Sequence, residues 1–396
     1  MKILHITASI DAKAGGVSQA VRTIIRGLAE SGVQNDVVCL DEQGTQLPGD
    51  LFEGYFFGPG KSSWKYAPEL LAWLYKHLAE YDVAVVHGLW QYHSFAAQKA
   101  WSSLRGKKPK LLVMPHGMLD PYFQKASSRK IKALRNWLYW KLVENKLVNN
   151  ADGMLFTAEI EREVSAQPFK PYKVKSEHVV GLGVETPPAF DLKMFDAFKE
   201  QSGQTINEPY ILFLGRIDHK KGVRELVTAY LRHKSEGTVL PKLVIAGPGG
   251  DTEYGQMIHM MSSDCNDIVF TGMLTGNAKW AAFYGSEAFI LPSHQENFGI
   301  SNAEALACSK PVLISDKINI WKEIEKGGGG LVETDTTEGA YQLIKKWILK
   351  TPAEKQKFSE NALSTYRKNF SFEMANAKFL KAINFQPTNR QAKINA

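Results

Sequence analysis

Short apolar runs alternate with helical segments in two separate series along the chain, and this alternation constrains the fold more than any other feature. The apolar runs of the first series occupy residues 2–7, 36–40, 83–87, 110–115 and 153–157. Those of the second series occupy residues 210–215, 242–246, 268–271, 288–291 and 311–314. Amphipathic helices such as 18–29, 68–80 and 223–233 separate these runs. The pattern predicts buried parallel strands joined by helical crossovers.

Two such series predict two α/β domains, each a Rossmann-like, doubly wound parallel sheet, which face a central cleft at the carboxyl ends of their strands. A chain of 396 residues is long enough for each domain to bury a core of its own. The regular alternation lapses between residues 181 and 208. We therefore expect a first domain over residues 1–182 and a second over residues 183–372.

Composition and cysteine usage indicate the compartment. Hydrophobic residues make up 44% of the chain and charged residues 22%, which is typical of a soluble globular protein. The three cysteines, Cys39, Cys265 and Cys308, are widely separated, which argues against a disulfide framework or a cysteine metal site. The first residues resemble a strand rather than a signal peptide, and no apolar run approaches membrane-spanning length. We therefore expect a cytoplasmic protein.

The net charge of +7 is unevenly distributed. Eleven Lys and Arg residues lie between Arg105 and Lys146, against only Asp120 and Glu144. A basic surface of this kind suits nucleic acid, an anionic lipid surface or a diphosphate-bearing ligand. Because no recognised nucleic-acid-binding motif accompanies the charge, we expect no nucleic-acid partner.

The loop and helix that follow the strand at 288–291 combine two carboxylates with a helix N-terminus. Glu296 lies in the loop, Gly299 allows a tight turn, and Ser301 or Asn302 is expected to cap the helix that carries Glu304. Free amides at a helix N-terminus attract an anion such as phosphate. Carboxylates accept paired hydrogen bonds from the vicinal hydroxyls of a sugar or a ribose. The segment therefore predicts a site for a nucleotide-sugar.

The string E-N-F-G-I-S-N-A-E-A-L-A, from Glu296 to Ala307, resembles the signature of retaining glycosyltransferases of family 4. The alternative is an ordinary strand–loop–helix with solvated acidic residues. The resemblance implies a GT-B fold, in which Glu296 holds the C3 and C4 hydroxyls of the transferred sugar and Glu304 holds the ribose diol. The neighbouring residues then line the donor, namely Asn297, Phe298, Gly299, Ile300 and Ser301.

A basic loop follows the first strand of the second series. It reads G-R-I-D-H-K-K-G and is similar to the family's G-R-x-x-x-x-K-G. Arg216 offers a planar group for phosphate oxygens, and Lys221 adds a point charge five residues later. Both would stabilise the charge on a departing nucleoside diphosphate. No D-x-D carboxylate pair is present, so we expect these cations to act in place of a metal ion and expect no other cofactor.

Glycine-rich turns follow other predicted strands. Gly15 and Gly16 come between the first strand and the first helix, where they would let a phosphate approach the backbone; a plain tight turn is the alternative. The turn lacks the G-x-G-x-x-G pattern, so nicotinamide binding is poorly supported. Gly247, Met273 and Leu274 belong to segments that resemble family segments lying against the nucleotide.

The string P-H-G-M-L-D-P places His116 just beyond a strand of the first domain. It resembles the equivalent string of family 4 members that act in surface-polysaccharide assembly. The resemblance implies that His116 contacts the transferred sugar, commonly at its C6 hydroxyl. His87, which ends the preceding strand, carries a weaker signal: it either shapes the acceptor side or packs in the interior.

The segment 125–149 interleaves Lys and Arg with aromatic and aliphatic residues. Two interpretations stay open. The segment is either an amphipathic helix resting on an anionic bilayer, or a helix of the first domain whose aromatic side chains belong to the core.

The resemblance covers nearly the whole chain and implies a retaining, metal-independent hexosyltransferase. It would act in polysaccharide or glycoconjugate synthesis at the inner face of the cell membrane, on a glycan or polyprenyl-linked glycan acceptor. The first domain would serve the acceptor and the second the donor, while the tail at 373–396 packs back on the first. One departure is V-G-L-G-V at 180–184, where relatives often have P-N-G-V. The alternatives are a non-catalytic sugar-nucleotide-binding relative and, with less support, a nucleotide-sugar 2-epimerase.

Overall fold

A computed structural model describes residues 1–45, 49–125, 130–205 and 207–385 of the chain. The chain divides into two compact units. The first unit comprises Met1–Gly183 together with the C-terminal segment that begins at Phe372, and the second comprises Val184–Ser371. These bounds lie one residue from those expected from the sequence.

The first unit contains a parallel sheet in the order β3-β2-β1-β4-β5-β6-β7. Its strands are β1 Lys2–Thr7, β2 Gln34–Cys39, β3 Glu53–Phe56, β4 Val83–His87, β5 Lys110–Met114, β6 Gly153–Phe156 and β7 Glu177–Val179. The central strands β1, β4 and β5 are rich in Val, Ile and Leu that are buried on both faces, as expected for a sheet covered by helices on either side. The sequence prediction missed the two edge strands, β3 and β7.

The helices of this unit provide the crossovers between its strands. They are α1 Gly16–Glu30, α2 Pro68–His77, α3 Tyr92–Ser103, α4 Tyr122–Lys125, α5 Lys130–Tyr139, α6 Asn145–Asn150 and α7 Glu159–Ser165. A π-helical turn, Trp140–Glu144, joins α5 to α6 and buries Trp140 completely. Trp140 stacks on Phe169, with ring centroids 5.0 Å apart.

The second unit contains a parallel sheet in the order β10-β9-β8-β11-β12-β13. Its strands are β8 Tyr210–Leu214, β9 Lys242–Ala246, β10 Ile268–Gly272, β11 Ala288–Leu291, β12 Val312–Ser315 and β13 Gly330–Glu333. Its helices are α8 Met194–Ser202, α9 Val223–Ser235, α10 Glu253–Met261, α11 Gly276–Gly285, α12 Ile300–Ala307, α13 Trp321–Gly327, α14 Thr337–Ile348 and α15 Pro352–Asn369. The edge strand β13 was again missed. The predicted pair of doubly wound parallel-sheet domains is confirmed.

The last helix, α16 (Phe372–Ala382), belongs to the first unit and packs on α1. Asn376 Nδ2 donates a hydrogen bond to Ser31 Oγ at 2.9 Å, and the Arg26 guanidinium lies 5.6 Å from the Phe372 ring. The chain therefore returns to its first unit as expected. The part of the expected tail beyond residue 385 lies outside the described residues.

Candidate functional site

The candidate donor residues of the second unit lie in loops at the carboxyl ends of β8, β9, β10 and β11, which are neighbours in the sheet. Backbone hydrogen bonds tie these loops together. Gly215 N–H donates to Ala246 O at 2.9 Å, and Gly247 N–H donates to Gly272 O at 2.8 Å. His294 N–H donates to Lys220 O at 2.8 Å. These loops thus lie together at one edge of the sheet. They carry the candidate donor residues Arg216, Gly247, Met273, Leu274 and Glu296.

Lys221 and Glu296, predicted from separate motifs, form an ion pair between Lys221 Nζ and Glu296 Oε2. Each side chain is only 18% exposed. The close approach of the two loops depends on Gly222, which has a φ of 67°. A Cβ atom there would lie 2.2 Å from the carbonyl oxygen of Pro292, so only glycine fits.

Arg216 differs from its neighbour Lys221 because its side chain is exposed. The described part of the chain provides no ion-pair or hydrogen-bond partner for its guanidinium. An exposed, always-charged guanidinium beside a paired lysine and glutamate is suited to receive phosphate oxygens.

Glu304 pairs with a residue that the sequence did not suggest. Lys279, on α11, donates from Nζ to Glu304 Oε1 at 2.8 Å, and the two side chains are 22% and 15% exposed. The Lys279 ammonium also lies 4.0 Å from the Trp280 ring. No motif surrounds Lys279, and only the tertiary fold brings this residue of α11 to Glu304 on α12. The lysine holds one carboxylate oxygen and orients Glu304.

The start of α12 corrects the predicted cap. The N-cap is Gly299, with a φ of 73° and no side-chain cap, instead of Ser301 or Asn302. Its αL conformation begins the helix at Ile300, two residues earlier than a Ser301 cap and three residues earlier than an Asn302 cap would allow. A Cβ atom on Gly299 would lie 2.4 Å from Asn302 Nδ2. Phe298 is buried beneath this turn, 5.8 Å from the Phe370 ring.

A histidine between two carboxylates supports the loop that carries Glu296. His294 Nδ1 lies 2.8 Å from Asp335 Oδ2, and its Nε2 lies 3.4 Å from Glu225 Oε2. The hydrogen bonds to Glu225 and Asp335 raise the pKa of His294 to about 9. The imidazolium is therefore charged at neutral pH and stabilises the loop two residues before Glu296.

In the first unit, Gly15 is the N-cap of α1 and Gly16 is its first residue, as predicted. A Cβ atom on either glycine would meet nothing within 4 Å, so the helix N-terminus is open to a ligand.

His116 follows β5 and is half-buried, with a φ of 52°. The loop is held by Glu161, a buried residue of α7 that the sequence analysis did not identify. Glu161 accepts hydrogen bonds from Gly117 N–H and, at 2.7 Å, from Thr157 N–H. Only the tertiary packing of α7 reveals this role, because Glu161 lies 44 residues after Gly117.

His87 is buried at the end of β4, and its Nδ1 lies 3.1 Å from His116 Nε2. Of the two interpretations left open for His87, the structure supports packing in the interior, in contact with the candidate catalytic histidine. Burial lowers the pKa of His116 to about 4, and burial together with the neighbouring histidines lowers the pKa of His87.

The basic and aromatic segment has two different faces. Trp140, Leu147 and Val148 are buried in the core of the first unit. The opposite face is exposed and apolar, and we call it the exposed apolar face: Ile131, Leu134, Trp137, Leu138 and Leu142. Ile131 is 87% exposed and Leu142 is 69% exposed. The buried face fits the second interpretation, a helix of the first domain whose aromatic side chains belong to the core. Contact of the exposed face with a bilayer stays a prediction. Residues 126–129 lie outside the described residues.

Metal-ligand clusters and membrane-spanning helices are both absent from the described residues. Nowhere in the described ranges are three or more His, Cys, Asp or Glu side chains grouped as metal ligands would be. None of the helices in the same ranges combines the length and apolarity needed to cross a membrane.

Family models match the two halves of the chain in succession. Residues 14–186 match a model described as Glycosyltransferase Family 4, and residues 194–365 match one described as Glycosyl transferases group 1. The chain belongs to the family 4 glycosyltransferases. The family predicted from the two-glutamate string is thus confirmed by matches in both units.

Known relatives agree with this family over shorter stretches. The glycosyltransferase is 30% identical over 118 residues to an uncharacterized glycosyltransferase of Methanocaldococcus jannaschii, covering 30% of each chain. It is 33% identical over 144 residues to a D-inositol 3-phosphate glycosyltransferase of Xylanimonas cellulosilytica, covering 34% of each. The chain thus spans about a third of the length of these curated relatives.

Among solved structures, the glycosyltransferase is similar to Anabaena HepE, which was crystallised in complex with UDP and glucose. The TM-score is 0.71 at 18% identity, over 97% of this chain and 99% of that one. At this identity the similarity shows the fold alone, which is the GT-B fold.

Proposed function

We propose that this glycosyltransferase moves a sugar from a nucleoside-diphosphate sugar to a hydroxyl of a glycan or polyprenyl-linked glycan, with retention of anomeric configuration. The observation that carries the proposal is the grouping of Arg216, the Lys221–Glu296 pair and Glu304 around neighbouring strand ends of the second unit. The role in polysaccharide or glycoconjugate synthesis follows from the resemblance of the P-H-G-M-L-D-P string.

The leaving diphosphate would be received by fixed positive charge. Arg216 presents an exposed guanidinium, and the amides at the start of α12 add a partial positive charge. Lys221 is already paired with Glu296, so donor binding would share its ammonium between the carboxylate and the phosphate. Removing one group that stabilises developing charge costs about 10²–10³ in rate.

The carboxylates would hold hydroxyls at either end of the donor. Glu304 keeps Oε2 for the ribose diol while Lys279 occupies Oε1. Glu296, neutralised by Lys221, would accept hydrogen bonds from the C3 and C4 hydroxyls of the sugar. By resemblance, His116 contacts the same sugar. Each carboxylate is thus paired with a lysine, which reduces its repulsion toward the diphosphate.

The transfer would break the bond between C1 and the phosphate oxygen and form a bond between C1 and the acceptor oxygen on the same face. The acceptor proton would pass to the departing phosphate oxygen, and no side chain is assigned as a covalent nucleophile. Because Arg216 and Lys221 supply the charge that a divalent ion would otherwise supply, we propose that the reaction is metal-independent.

A panel of UDP-, GDP- and ADP-sugars tests this proposal in two steps, both in excess EDTA. We expect one class of donor to raise the melting temperature, since a ligand at about 100 times its Kd stabilises by roughly 2.7 kcal/mol. The UDP-sugars are tried first because the HepE structure contains UDP. The same donor should then release nucleoside diphosphate slowly, and the product with an acceptor should keep the donor's anomeric configuration.

The outcomes separate the alternatives. Glu304→Ala should abolish the thermal shift, whereas Glu325→Ala, which removes an acid from the end of α13, should leave it unchanged. Stabilisation without any release of nucleoside diphosphate would favour the non-catalytic relative. Epimerised donor without transfer would favour the 2-epimerase. Activity lost in EDTA and restored by Mn²⁺ would contradict metal independence.

We also propose that the exposed apolar face rests on an anionic membrane surface, where a lipid-linked acceptor is found. Its aliphatic members recur at Ile131, Leu134, Leu138 and Leu142, which places them along one side of the helical segment. Exposed basic residues flank this face: Lys132, Arg135, Lys141 and Lys146. Apolar side chains beside basic ones are typical of helices that lie in the headgroup region.

Vesicle flotation tests the membrane contact. We expect the protein to float with phosphatidylglycerol vesicles at low salt and to remain unbound with phosphatidylcholine vesicles. Leu134→Asp with Leu138→Asp should weaken binding at least about tenfold, because each buried leucine contributes about 1.5–3 kcal/mol. The control pair is Leu192→Asp with Val239→Asp, which lie at exposed positions of the second unit. Equal binding of both double variants, or no binding by the unaltered protein, would contradict the proposal.

A further inference from the structure

Three histidines of the first unit are joined in a line of hydrogen bonds that starts at the candidate catalytic residue. His116 Nε2 lies 3.1 Å from His87 Nδ1, and His87 Nε2 lies 2.9 Å from His5 Nδ1. His5 Nε2 ends the line 3.2 Å from Asn35 Oδ1. The residues come from β1, β2, β4 and the loop after β5, and these strands are consecutive in the sheet.

The rings meet edge to edge rather than face to face. The ring centroids of His5 and His87 are 5.2 Å apart, and those of His87 and His116 are 5.4 Å apart. The interplanar angles are 22° and 31°. The facing ring nitrogens are only about 3 Å apart, although the ring centroids are more than 5 Å apart. Both distances hold together only if each nitrogen lies on the line between the two centroids and points toward the next ring. Each contact is therefore an N–H···N hydrogen bond.

The direction of these hydrogen bonds is set at the buried end of the line. Asn35 Nδ2 donates to the carbonyl oxygen of Val33 at 2.9 Å. A backbone carbonyl can only accept, so the amide group of Asn35 has a single permitted orientation, with Oδ1 toward His5. Because Oδ1 can only accept, His5 must carry its proton on Nε2.

The tautomer of each ring determines the tautomer of the next ring in the line. A neutral imidazole has one N–H donor and one bare nitrogen acceptor. His5 with its proton on Nε2 accepts at Nδ1, so His87 must donate from Nε2. His87 then accepts at Nδ1, so His116 must donate from Nε2. The last bare nitrogen of the line is Nδ1 of His116.

Burial keeps the rings neutral, as this argument requires. His5, His87 and Asn35 are each 3% exposed or less. Desolvation lowers the pKa of His5 and His116 to about 4, and it also lowers the pKa of His87 well below its ordinary value. The line also ends without a group that could take up a proton, because Asn35 does not titrate. It therefore fixes a tautomer and does not conduct protons.

We propose that Asn35, His5 and His87 are positioning residues that hold His116 in its Nε2–H tautomer and leave Nδ1 as a hydrogen-bond acceptor for the substrate. In the described part of the chain, Nδ1 of His116 has no partner, and it is not sealed from solvent. An acceptor at this position favours a sugar that presents a hydroxyl and disfavours one that presents a carboxylate, which can only accept.

The assignment of the tautomer stands on the geometry alone, whereas its role in sugar selection rests on the proposed function. By the resemblance, His116 faces C6 of the transferred sugar. The substrate class would then be hexoses with a C6 hydroxyl, in preference to the matching 6-deoxy sugars and hexuronates. An acceptor that the bound sugar covers without supplying a donor costs about 1–3 kcal/mol, or roughly 5- to 150-fold in kcat/KM.

Nitrogen-15 NMR of the full chain labelled at histidine tests the tautomer without any assay of activity. At neutral pH we expect His116, His87 and His5 each to show a protonated Nε2 and a bare Nδ1. His5→Phe keeps a buried ring of similar shape but removes the acceptor for His87, and Asn35→Leu removes the acceptor for His5. In both variants the signals of His116 should become those of a mixture of tautomers.

His93→Gln is the matched control. His93 is equally buried and donates to the carbonyl oxygen of His87 at 3.0 Å, outside the line of ring nitrogens. This variant should leave the spectrum of His116 unchanged. A proton on Nδ1 of His116 in the unaltered protein would overturn the proposal. A spectrum of His116 that is unaffected by His5→Phe or Asn35→Leu would also overturn it, and one folded variant is enough for this second test.

Kinetics then test the selection of the sugar. With a competent donor, the ratio of kcat/KM for the C6-hydroxyl sugar over its hexuronate should fall about tenfold in His5→Phe and stay constant in His93→Gln. An unchanged ratio would overturn the link between tautomer and selectivity. A protein with the expected tautomer but no transferase activity would refute the proposed function and leave the positioning of His116 standing.

Discussion

Replacing Arg216 with alanine should lower the turnover number by about 10²–10³, because the guanidinium would stabilise the negative charge that develops on the leaving diphosphate. The residue is exposed and lies in a loop, so the free energy of unfolding should change by less than about 0.5 kcal/mol. Turnover is measured as nucleoside diphosphate released per enzyme at saturating donor, and stability by urea unfolding.

Arg367→Ala is the control for this change. Arg367 lies on α15, carries the same charge and is similarly exposed, but it is remote in sequence from every donor motif. Its replacement should leave turnover within about twofold, since surface substitutions away from a site have small effects. Near-normal turnover in Arg216→Ala would refute the role assigned to this guanidinium. An equal loss in both variants would point to a general effect of net charge.

The Lys221–Glu296 pair should behave as a unit in a double-mutant cycle. We expect Lys221→Met and Glu296→Gln each to reduce turnover by about 10²–10³, because each removes a contact to the donor and leaves a partly buried partner unpaired. The double variant should lose little more than the worse single variant. Groups that act together give such non-additive losses.

The Arg232–Glu338 pair, at 2.8 Å, provides the matched comparison on the surface of the same unit. Arg232→Met and Glu338→Gln should leave turnover near that of the unaltered enzyme, since exposed pairs contribute about 0–1 kcal/mol even to stability. If the loss of turnover in the Lys221 and Glu296 double variant equals the product of the two single-variant losses, the two groups contact the donor independently. Normal turnover in either single variant would remove that residue from the mechanism.

The grouping of the candidate donor residues could be predicted because these residues lie in short linear motifs at strand ends. Arg216 and Lys221 belong to one loop, and Glu296 and Glu304 to another, and parallel strands bring such loops to the same edge of a sheet. The pairing of Lys221 with Glu296 follows from that topology once β8 and β11 are known to be neighbours.

The residues that hold these groups in place escaped prediction for a common reason. Lys279 orients Glu304, and Glu161 holds the loop of His116, yet each comes from a helix with no motif around it. Asn35 acts on His116 through two other side chains. Such contacts depend on how helices and strands pack, and a reading of local patterns does not contain that information.

Prediction from local sequence patterns also failed at one helix start, which depends on a single backbone angle, and at strands on the edges of the sheets. Ser301 and Asn302 are good caps by type, but the αL conformation of Gly299 starts the helix before either of them. The edge strands β3, β7 and β13 are mostly half-buried and contain Glu, Gly or His, so they lack the continuous apolar run that marks a buried strand.

The return of α16 to α1 has a consequence for how the protein is made. Ribosomes deliver a chain from its amino terminus, so the first unit lacks α16 until residues 372–382 have emerged, after the whole second unit. The second unit is contiguous from Val184 to Ser371, so it can complete its fold while the earlier one still waits. The apolar surface of α1 around Ile24 and Gly27 therefore stays without its α16 partner throughout that interval.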